Sequence, residues 1–191
     1  MVVLLSSCTN RQDVVTIHTD YGDIVVILFD ETPEHKQNFL ELAKGGYYDG
    51  TTFHRVMQGF MIQGGDPNSK DDDPANDGLG GPGFTVPAEF NRKFVHNKGA
   101  LAAARQPDSI NPAKASSGSQ FYIVQGEDGA HHLDGSYTIF GQTISGLDVV
   151  DKIAAQPVGA RNRPLQDIKM TMEVKKMAKK KITKEYGYVF E

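Results

Sequence analysis

Hydrophobic and polar positions along the chain change period several times, and each change marks an element. Two apolar-rich runs, 14–19 and 22–29, flank Asp20-Tyr21-Gly22, which predicts a β-hairpin turning there. Thr32 and Pro33 then precede a segment in which Phe39, Leu40, Leu42 and Ala43 recur at helical spacing before Gly45-Gly46. That pattern predicts a helix with Thr32 as N-cap, Pro33 as its first residue and one apolar side laid on a sheet. Residues 53–63 read as one extended strand, and Phe121-Tyr122-Ile123-Val124 and 138–140 as shorter ones. A second short helix is expected over 146–154, with Leu147, Val150, Ile153 and Ala154 on one side and Pro157 beyond it. Alternation over 168–174 gives a last strand. No internal repeat interrupts this order, which fits a mainly β protein: an antiparallel barrel closed by two helices.

Between these elements the chain is rich in turns. With 191 residues, 39% hydrophobic content, 20 Gly and 9 Pro, the composition favours one domain of short strands over a helical bundle. The polar stretch 66–83 places carboxylates and Asn at alternating positions like a calcium loop, but Lys70 stands where a ligand is needed and Asp71 where the turn Gly is needed. A solvated loop is the better reading, and 106–117 is a second irregular loop. The small residues of Gly99-Ala100-Leu101-Ala102-Ala103-Ala104 permit close backbone approach, as at a strand edge facing a ligand.

Charge and cysteine narrow the picture further. The net charge of −4 argues against a nucleic-acid binder, yet residues 169–191 hold seven Lys against three Glu, about +4, leaving about −8 elsewhere. Within that tail Met177 and Ile182 are the sole large apolar residues of 175–184, too few for an amphipathic membrane anchor. A solvated, frayed end is expected there. The closing Tyr186-Gly187-Tyr188-Val189-Phe190 is compatible with packing back on the barrel or with a short strand. Cys8 is the single cysteine, so no intrachain disulfide forms. Leu5-Ser6-Ser7-Cys8 fits a bacterial lipobox, although Met1-Val2-Val3-Leu4-Leu5 lacks a basic leader and the usual apolar length. The expected organisation is therefore a truncated signal and polar tether over 1–13, a main domain over 14–175 and a Lys-rich tail over 176–191.

The chemistry concentrates in Phe53-His54-Arg55-Val56-Met57-Gln58-Gly59-Phe60-Met61-Ile62-Gln63-Gly64-Gly65-Asp66. On an extended chain Arg55, Met57, Met61 and Gln63 share one face, presenting a cation, two thioethers and an amide among apolar surface, as a peptide groove requires. Gly118-Ser119-Gln120-Phe121-Tyr122-Ile123-Val124, His132-Leu133-Asp134-Gly135 and Phe140-Gly141 follow in order. Together these segments resemble the cyclophilin family of peptidyl-prolyl isomerases over roughly residues 14 to 175.

The resemblance implies a closed eight-stranded antiparallel β-barrel capped by two α-helices, and an isomerase that uses no cofactor and no metal. Rotation about an X-Pro bond breaks no bond, but it must cross a barrier near that of ordinary peptide bonds, about 18–20 kcal/mol. A cation that donates a hydrogen bond to the prolyl nitrogen draws its lone pair out of conjugation. Arg suits this because it stays charged and carries a rigid fork of donors. By resemblance Arg55 takes that role, Gln63 binds a substrate carbonyl, and Phe60, Met61, Tyr122 and Leu133 form the proline pocket. Ala104, Arg105 and Gln120 fall where the peptide binds, and His132 and Tyr137 fall on the groove. One charged hydrogen bond contributes roughly 1.5–3 kcal/mol, whereas an acceleration on the order of 10⁵ needs about 7 kcal/mol. The remainder must come from a dry pocket and from clamps favouring the twisted imide.

Other polar residues carry blander expectations. His54 is expected to be a satisfied support for its strand, since the isomerisation moves no proton. His131 and His132, adjacent on an extended chain, face opposite ways and do not share an ion. Ser119 lacks a Gly-x-Ser-x-Gly frame, and no Ser-base-acid constellation is evident. Departures from the family pattern also matter. His132 replaces a frequent Trp, Tyr137 a frequent His, Arg105 a frequent Asn and Tyr122 a frequent Phe; with no Trp in the chain, weak cyclosporin binding or none is expected. The expected partners are proline-containing polypeptides met by a monomer, with no nucleic acid, and with a membrane only through a lipid on Cys8. That places the protein in the bacterial cell envelope, assisting folding there, with the cytoplasm as the alternative. The rival function is a non-catalytic peptide-binding or chaperone module using the same groove.

Overall fold

The structure, a computed structural model, describes residues 10–190; Cys8 and the rest of the lipobox lie outside the described residues. In chain order the elements are β1 (Arg11–Thr19), β2 (Gly22–Leu28), α1 (Pro33–Lys44), β3 (Arg55–Met57), β4 (Met61–Gly64), β5 (Thr85–Val86), β6 (Ala100–Ala103), β7 (Ser116–Ser117), β8 (Phe121–Val124), β9 (Ile139–Ser145), α2 (Leu147–Ala154), β10 (Thr171–Ala178) and α3 (Lys179–Tyr186). Eight strands form one antiparallel sheet in the order β10-β1-β2-β9-β6-β8-β4-β3, while β5 and β7 pair separately. The two edges meet through the residues just before β3 and β10. Thr52 bridges Lys169, and the amides of Gly50 and Phe53 donate to the carbonyls of Met170 and Ile168 at 2.9 Å. That seam shields part of both edges. Bulges at Val25/Val26 and Leu101/Ala102 sit on either side of β9, where extra curvature is needed.

Strand parity divides the apolar residues between two regions. Ile62, Leu101, Ala103, Phe121 and Ile123 point into the main core with Ile17, Ile24, Val26, Leu28 and Phe53. Their neighbours Met61, Ala100, Ala102, Tyr122 and Val124 belong to a second cluster on the other face of the same strands. The second cluster is covered by Phe60, Leu133 and Tyr137, side chains carried by loops.

α1 starts at Pro33 and buries His35, Phe39, Leu40 and Ala43, with the Phe39 ring 5.4 Å from both Phe121 and Phe140. Thr32 occupies the N-cap position, but its hydroxyl caps nothing and is buried without a partner. α2 buries Val149, Val150, Ile153 and Ala154.

Several sequence expectations are corrected. Residues 53–63 are two strands, not one: the chain reverses between Met57 and Met61. The tether expected before residue 14 is strand from Arg11, where the Gln12 amide donates to the Leu28 carbonyl. The Lys-rich end is neither frayed nor solvated throughout. β10 pairs with β1 as far as Ala178↔Arg11, and α3, a third helix, follows it. Ile182 is 0% exposed and packs with Val14, Val25 and Ile27, while Tyr186, Tyr188 and Phe190 fold back onto the same cluster. The reason lies in β2: Ile24-Val25-Val26-Ile27-Leu28 is apolar at every position, so the sheet needs a cover on its outer face as well.

Candidate active site

The reversal between β3 and β4 builds the site. In this hairpin Arg55 lies opposite Gln63 and Met57 opposite Met61, so the four side chains expected to share a face do so across two strands. Gln63 in turn lies opposite Tyr122, and Ala102 opposite Tyr122 on its other side. The hairpin places Phe60 in the turn, where it joins the same surface although its parity in a single strand would have pointed it away. Gly65 closes β4 with φ +87, and a Cβ there would stand 2.4 Å from the Ser119 carbonyl oxygen.

Arg55, Phe60, Met61, Gln63, Ala104, Arg105, Tyr122, Leu133 and Tyr137 together line a cavity of about 190 Å³, small and apolar on most sides. One guanidinium nitrogen of Arg55 donates to the Gln63 amide oxygen at 3.1 Å, and another meets the Met57 sulfur at 3.1 Å. The Gln63 amide nitrogen donates to Gln120 Oε1 at 3.0 Å, and Gln120 donates to the carbonyls of Gly78 and Gly80. A polar chain thus fixes the Arg55 fork from the loop at 78–80. Arg55 is half-buried, and burial lowers its pKa from the ordinary arginine value. Within the accepted range for arginine it remains a cation. It forms no ion pair with a carboxylate among the described residues, whereas Arg105 is held by Asp108 at 2.5 Å and stacks 4.4 Å over the Tyr137 ring. Arg55 is therefore a cation beside an apolar cavity with its charge uncancelled.

Among the described residues, three expected ones sit outside this cavity. Gln120 lines a neighbouring one of about 620 Å³ with Gln63, Leu79, Phe84, Ala104 and Arg105. His132 is exposed at the rim, its ring 5.5 Å from Phe60. His54 is buried against Gly78 and beside Asp77, at a separate cleft that Arg55 and Gln63 also edge. The expected support is weak: no side chain hydrogen-bonds either buried ring nitrogen, and the Thr52 backbone is the one polar group drawn to the ring. Burial lowers its pKa, against the opposing charges of Asp66 and Asp77.

Polar groups that sequence reasoning missed turn up in two places. Tyr122 OH lies 2.9 Å from His96 Nε2, and His96 Nδ1 lies 2.6 Å from Asp134. A Ser-base-acid chain also exists, contrary to expectation: Ser116 Oγ is 2.8 Å from His35 Nε2, whose Nδ1 is 2.6 Å from Glu89. Ser116 is 2% exposed and out of reach of solvent, so this trio clamps α1 to β7. No local motif announces either set, because the members are separated by 26 residues or more. His131 and His132 occupy a single 3-10 turn, not an extended chain, and His131 Nδ1 faces Asp134 at 3.1 Å. The Asp66 carboxylate, first in the calcium-like loop, already accepts from the amides of Asn68, Gly78 and Gly80. Among the described residues no three His, Cys, Asp or Glu side chains gather as a metal site.

An eight-stranded antiparallel sheet carrying on one face a compact apolar cavity edged by an uncancelled guanidinium is the architecture of a class of peptide-handling protein. The chain belongs to the cyclophilin-type peptidyl-prolyl cis-trans isomerases, whose family model matches residues 14–174. It is 41% identical over 161 residues to peptidyl-prolyl cis-trans isomerase CYP18-1 of Arabidopsis thaliana, covering 82% of this chain and 91% of that protein. It is 39% identical over 160 residues to human peptidyl-prolyl cis-trans isomerase-like 3, covering 81% and 90%. A crystal structure of a cyclophilin-type isomerase from Cryptosporidium parvum superposes with a TM-score of 0.75 at 30% identity, over 86% of this chain and 98% of that one. The same parasite protein has also been crystallised in the presence of the dipeptide Ala-Pro, with a TM-score of 0.72 to this chain.

Proposed function

We propose that Arg55 drives rotation about X-Pro bonds by donating to the prolyl nitrogen while the ring sits among Phe60, Met61, Tyr122 and Leu133. The observation that carries this is the cavity itself, in which those four apolar side chains and Arg55 share one small volume. As the imide twists, its nitrogen pyramidalises and becomes a better acceptor, so the Arg55 contact strengthens in the transition state. Gln63 and the backbone at Ala104-Arg105 hold the flanking peptide, and the adjoining cavity along Leu79, Phe84 and Gln120 receives its next residues. Exchange NMR on a prolyl tetrapeptide tests the assignment. Wild type should accelerate the interconversion, and Arg55→Ala should lose about ten- to a hundredfold, the range of one charged hydrogen bond. Arg55→Ala turning over as fast as wild type would refute the mechanism and leave a peptide-binding module.

Clients are unfolded or exposed proline-containing segments. His132, standing exposed at the rim, offers a smaller surface than a Trp there, which supports weak cyclosporin binding; tight inhibition in a titration would overturn that. The Leu5-Ser6-Ser7-Cys8 pattern supports a lipid on Cys8 and a place in the bacterial cell envelope, where newly exported chains need folding assistance. Mass spectrometry of the mature N-terminus decides this, since a diacylglyceryl cysteine has a distinctive mass.

A further inference from the structure

Tyr122 contributes its ring to the cavity wall, but its hydroxyl reaches past the cavity to His96, a side chain that is 0% exposed and lines no part of it. The direction of each hydrogen bond in this chain can be worked out. Asp134 Oδ1 lies 2.6 Å from His96 Nδ1 and 2.8 Å from the His96 amide nitrogen. A carboxylate only accepts, so in the neutral imidazole Nδ1 carries the hydrogen and Nε2 bears a lone pair. The Tyr122 hydroxyl, 2.9 Å from that lone pair, must then be the donor. Its single hydrogen is spent on His96, and the cavity meets an aromatic wall.

Burial is the largest influence on His96 and holds its pKa below the ordinary histidine value, against the hydrogen bond and charge of Asp134. The neutral form is therefore the resting one at neutral pH. Protonation makes Nε2 a donor, and the Tyr122 oxygen must then accept. Its own hydrogen loses its partner and turns out from a wall of Met61, Ala102 and Ile139 edged by Tyr137.

We propose that His96 is a positioning residue for the isomerase: its neutral ring holds the Tyr122 hydroxyl hydrogen away from the proline cavity, and its protonation reverses that bond, frees the hydrogen and weakens proline binding. The proposal rests on reading this cavity as the proline pocket. It concerns the Tyr at position 122 in particular, since a Phe would have no hydroxyl to orient. Asp134 belongs to the device as well. It grips His96 through two contacts and carries the turn that supplies Leu133 and Tyr137 to the same cavity.

Isomerisation moves no proton and Arg55 stays charged, so the chemistry itself supplies no pH dependence between pH 5 and 8. An acid limb in kcat/KM would therefore report on the surroundings. Several groups face His96 and Tyr122. The 131–134 turn brings His131, 3.1 Å from Asp134, and His132, which lies against Phe60. Arg105 and Tyr137 face Tyr122 from the remaining side.

The test is kcat/KM of the full chain for one prolyl tetrapeptide by exchange NMR from pH 8 to pH 5, with the folded fraction followed by circular dichroism at each pH. Wild type should lose about two- to tenfold on the acid side, the range of one reoriented hydrogen bond. Tyr122→Phe, whatever its plateau, should show no acid limb. His131→Gln and His132→Gln should keep it, and Asp134→Asn should move it to lower pH, because the carboxylate favours the protonated ring. In wild type the His96 imidazole resonances should titrate with the same midpoint as the limb, which settles the matter should Tyr122→Phe fail to fold. A flat wild-type profile with normal turnover overturns the proposal and leaves the isomerase reading intact. So does a limb that persists in Tyr122→Phe, vanishes in His131→Gln or His132→Gln, or follows unfolding. Absence of isomerisation at every pH would sink the pocket reading and this inference with it.

Discussion

Arg55 and Gln63 are direct cross-strand partners, and the Gln63 amide oxygen accepts from the Arg55 guanidinium at 3.1 Å. The acceptor is neutral, so it orients the fork without cancelling its charge. An acidic residue in the same place would do both.

Gln63→Glu therefore separates orientation from charge. The variant keeps the geometry but pairs Arg55 with a carboxylate in a half-buried site, where the ion pair competes with the prolyl nitrogen for the same donors. We expect kcat/KM to fall by about tenfold or more, with partial recovery as salt screens the new pair. Gln63→Ala should fall less and show no salt recovery. Equal activity of Gln63→Glu and wild type, measured in the same prolyl-peptide assay, would mean that the free charge of Arg55 is not used.

Gly65→Ala tests the turn that aims β4 at the site. The residue has φ +87, and a Cβ would come within 2.4 Å of a backbone oxygen of Ser119, next to the Gln120 that anchors Gln63. Left-handed strain alone costs of order 1–3 kcal/mol, and the clash is with backbone that cannot rotate aside. Urea unfolding should show a loss of at least about 1 kcal/mol, together with reduced turnover. A variant as stable and as active as wild type would mean that the turn relaxes freely.

How much of this was legible in the sequence depends on the range of the signal. Helices α1 and α2 were readable because Phe39, Leu40 and Ala43, or Val150, Ile153 and Ala154, repeat within a few residues. The contents of the cavity were readable through the resemblance. The hairpin at 53–63 was not, because a reversal at Gln58-Gly59-Phe60 leaves the parity of Arg55, Met57, Met61 and Gln63 unchanged and so mimics one strand. The role of the Lys-rich end was hidden for a related reason. Lysines dominate its composition, while the single fully buried Ile182 fills a need created by β2 more than 150 residues earlier. The uninterrupted apolar run of β2 was the available signal: a strand buried on both faces requires a second cover. The hydrogen-bond chains of His35 and His96 had no such trace, because their partners come together only in the folded sheet.

Ile182→Ala tests that cover directly. Removing a fully buried Ile side chain from a packed cluster typically costs about 2–5 kcal/mol, and Val14, Val25 and Ile27 would line the resulting void. We expect a loss of about 2 kcal/mol or more in urea unfolding, while kcat/KM measured on the folded fraction stays within about twofold, since Ile182 lines no part of the cavity. Stability indistinguishable from wild type would return the tail to a solvated appendage.

The buried histidines give stability a pH dependence of definite sign. His35, His54 and His96 each have a pKa held below the ordinary 6.5, chiefly by burial. The unfolded chain thus binds more protons than the folded one once the pH falls below about 6.5. Stability from these groups is complete above that value and is lost as the pH drops through the folded-state pKa values. The urea midpoint should decline between pH 7.5 and 5.5, above the range in which carboxylates ordinarily titrate. His54 is the cleanest probe, because no side-chain hydrogen bond to its ring would be lost. His54→Leu removes one resisted proton and a poorly satisfied buried ring together, so its pH slope should be shallower than that of wild type. Its stability at pH 7.5 should lie within about 1.5 kcal/mol of the parent, as for a volume-conserving apolar replacement. A slope as steep as wild type would show that His54 takes up its proton as readily folded as unfolded, which its burial beneath the Gly78 loop forbids.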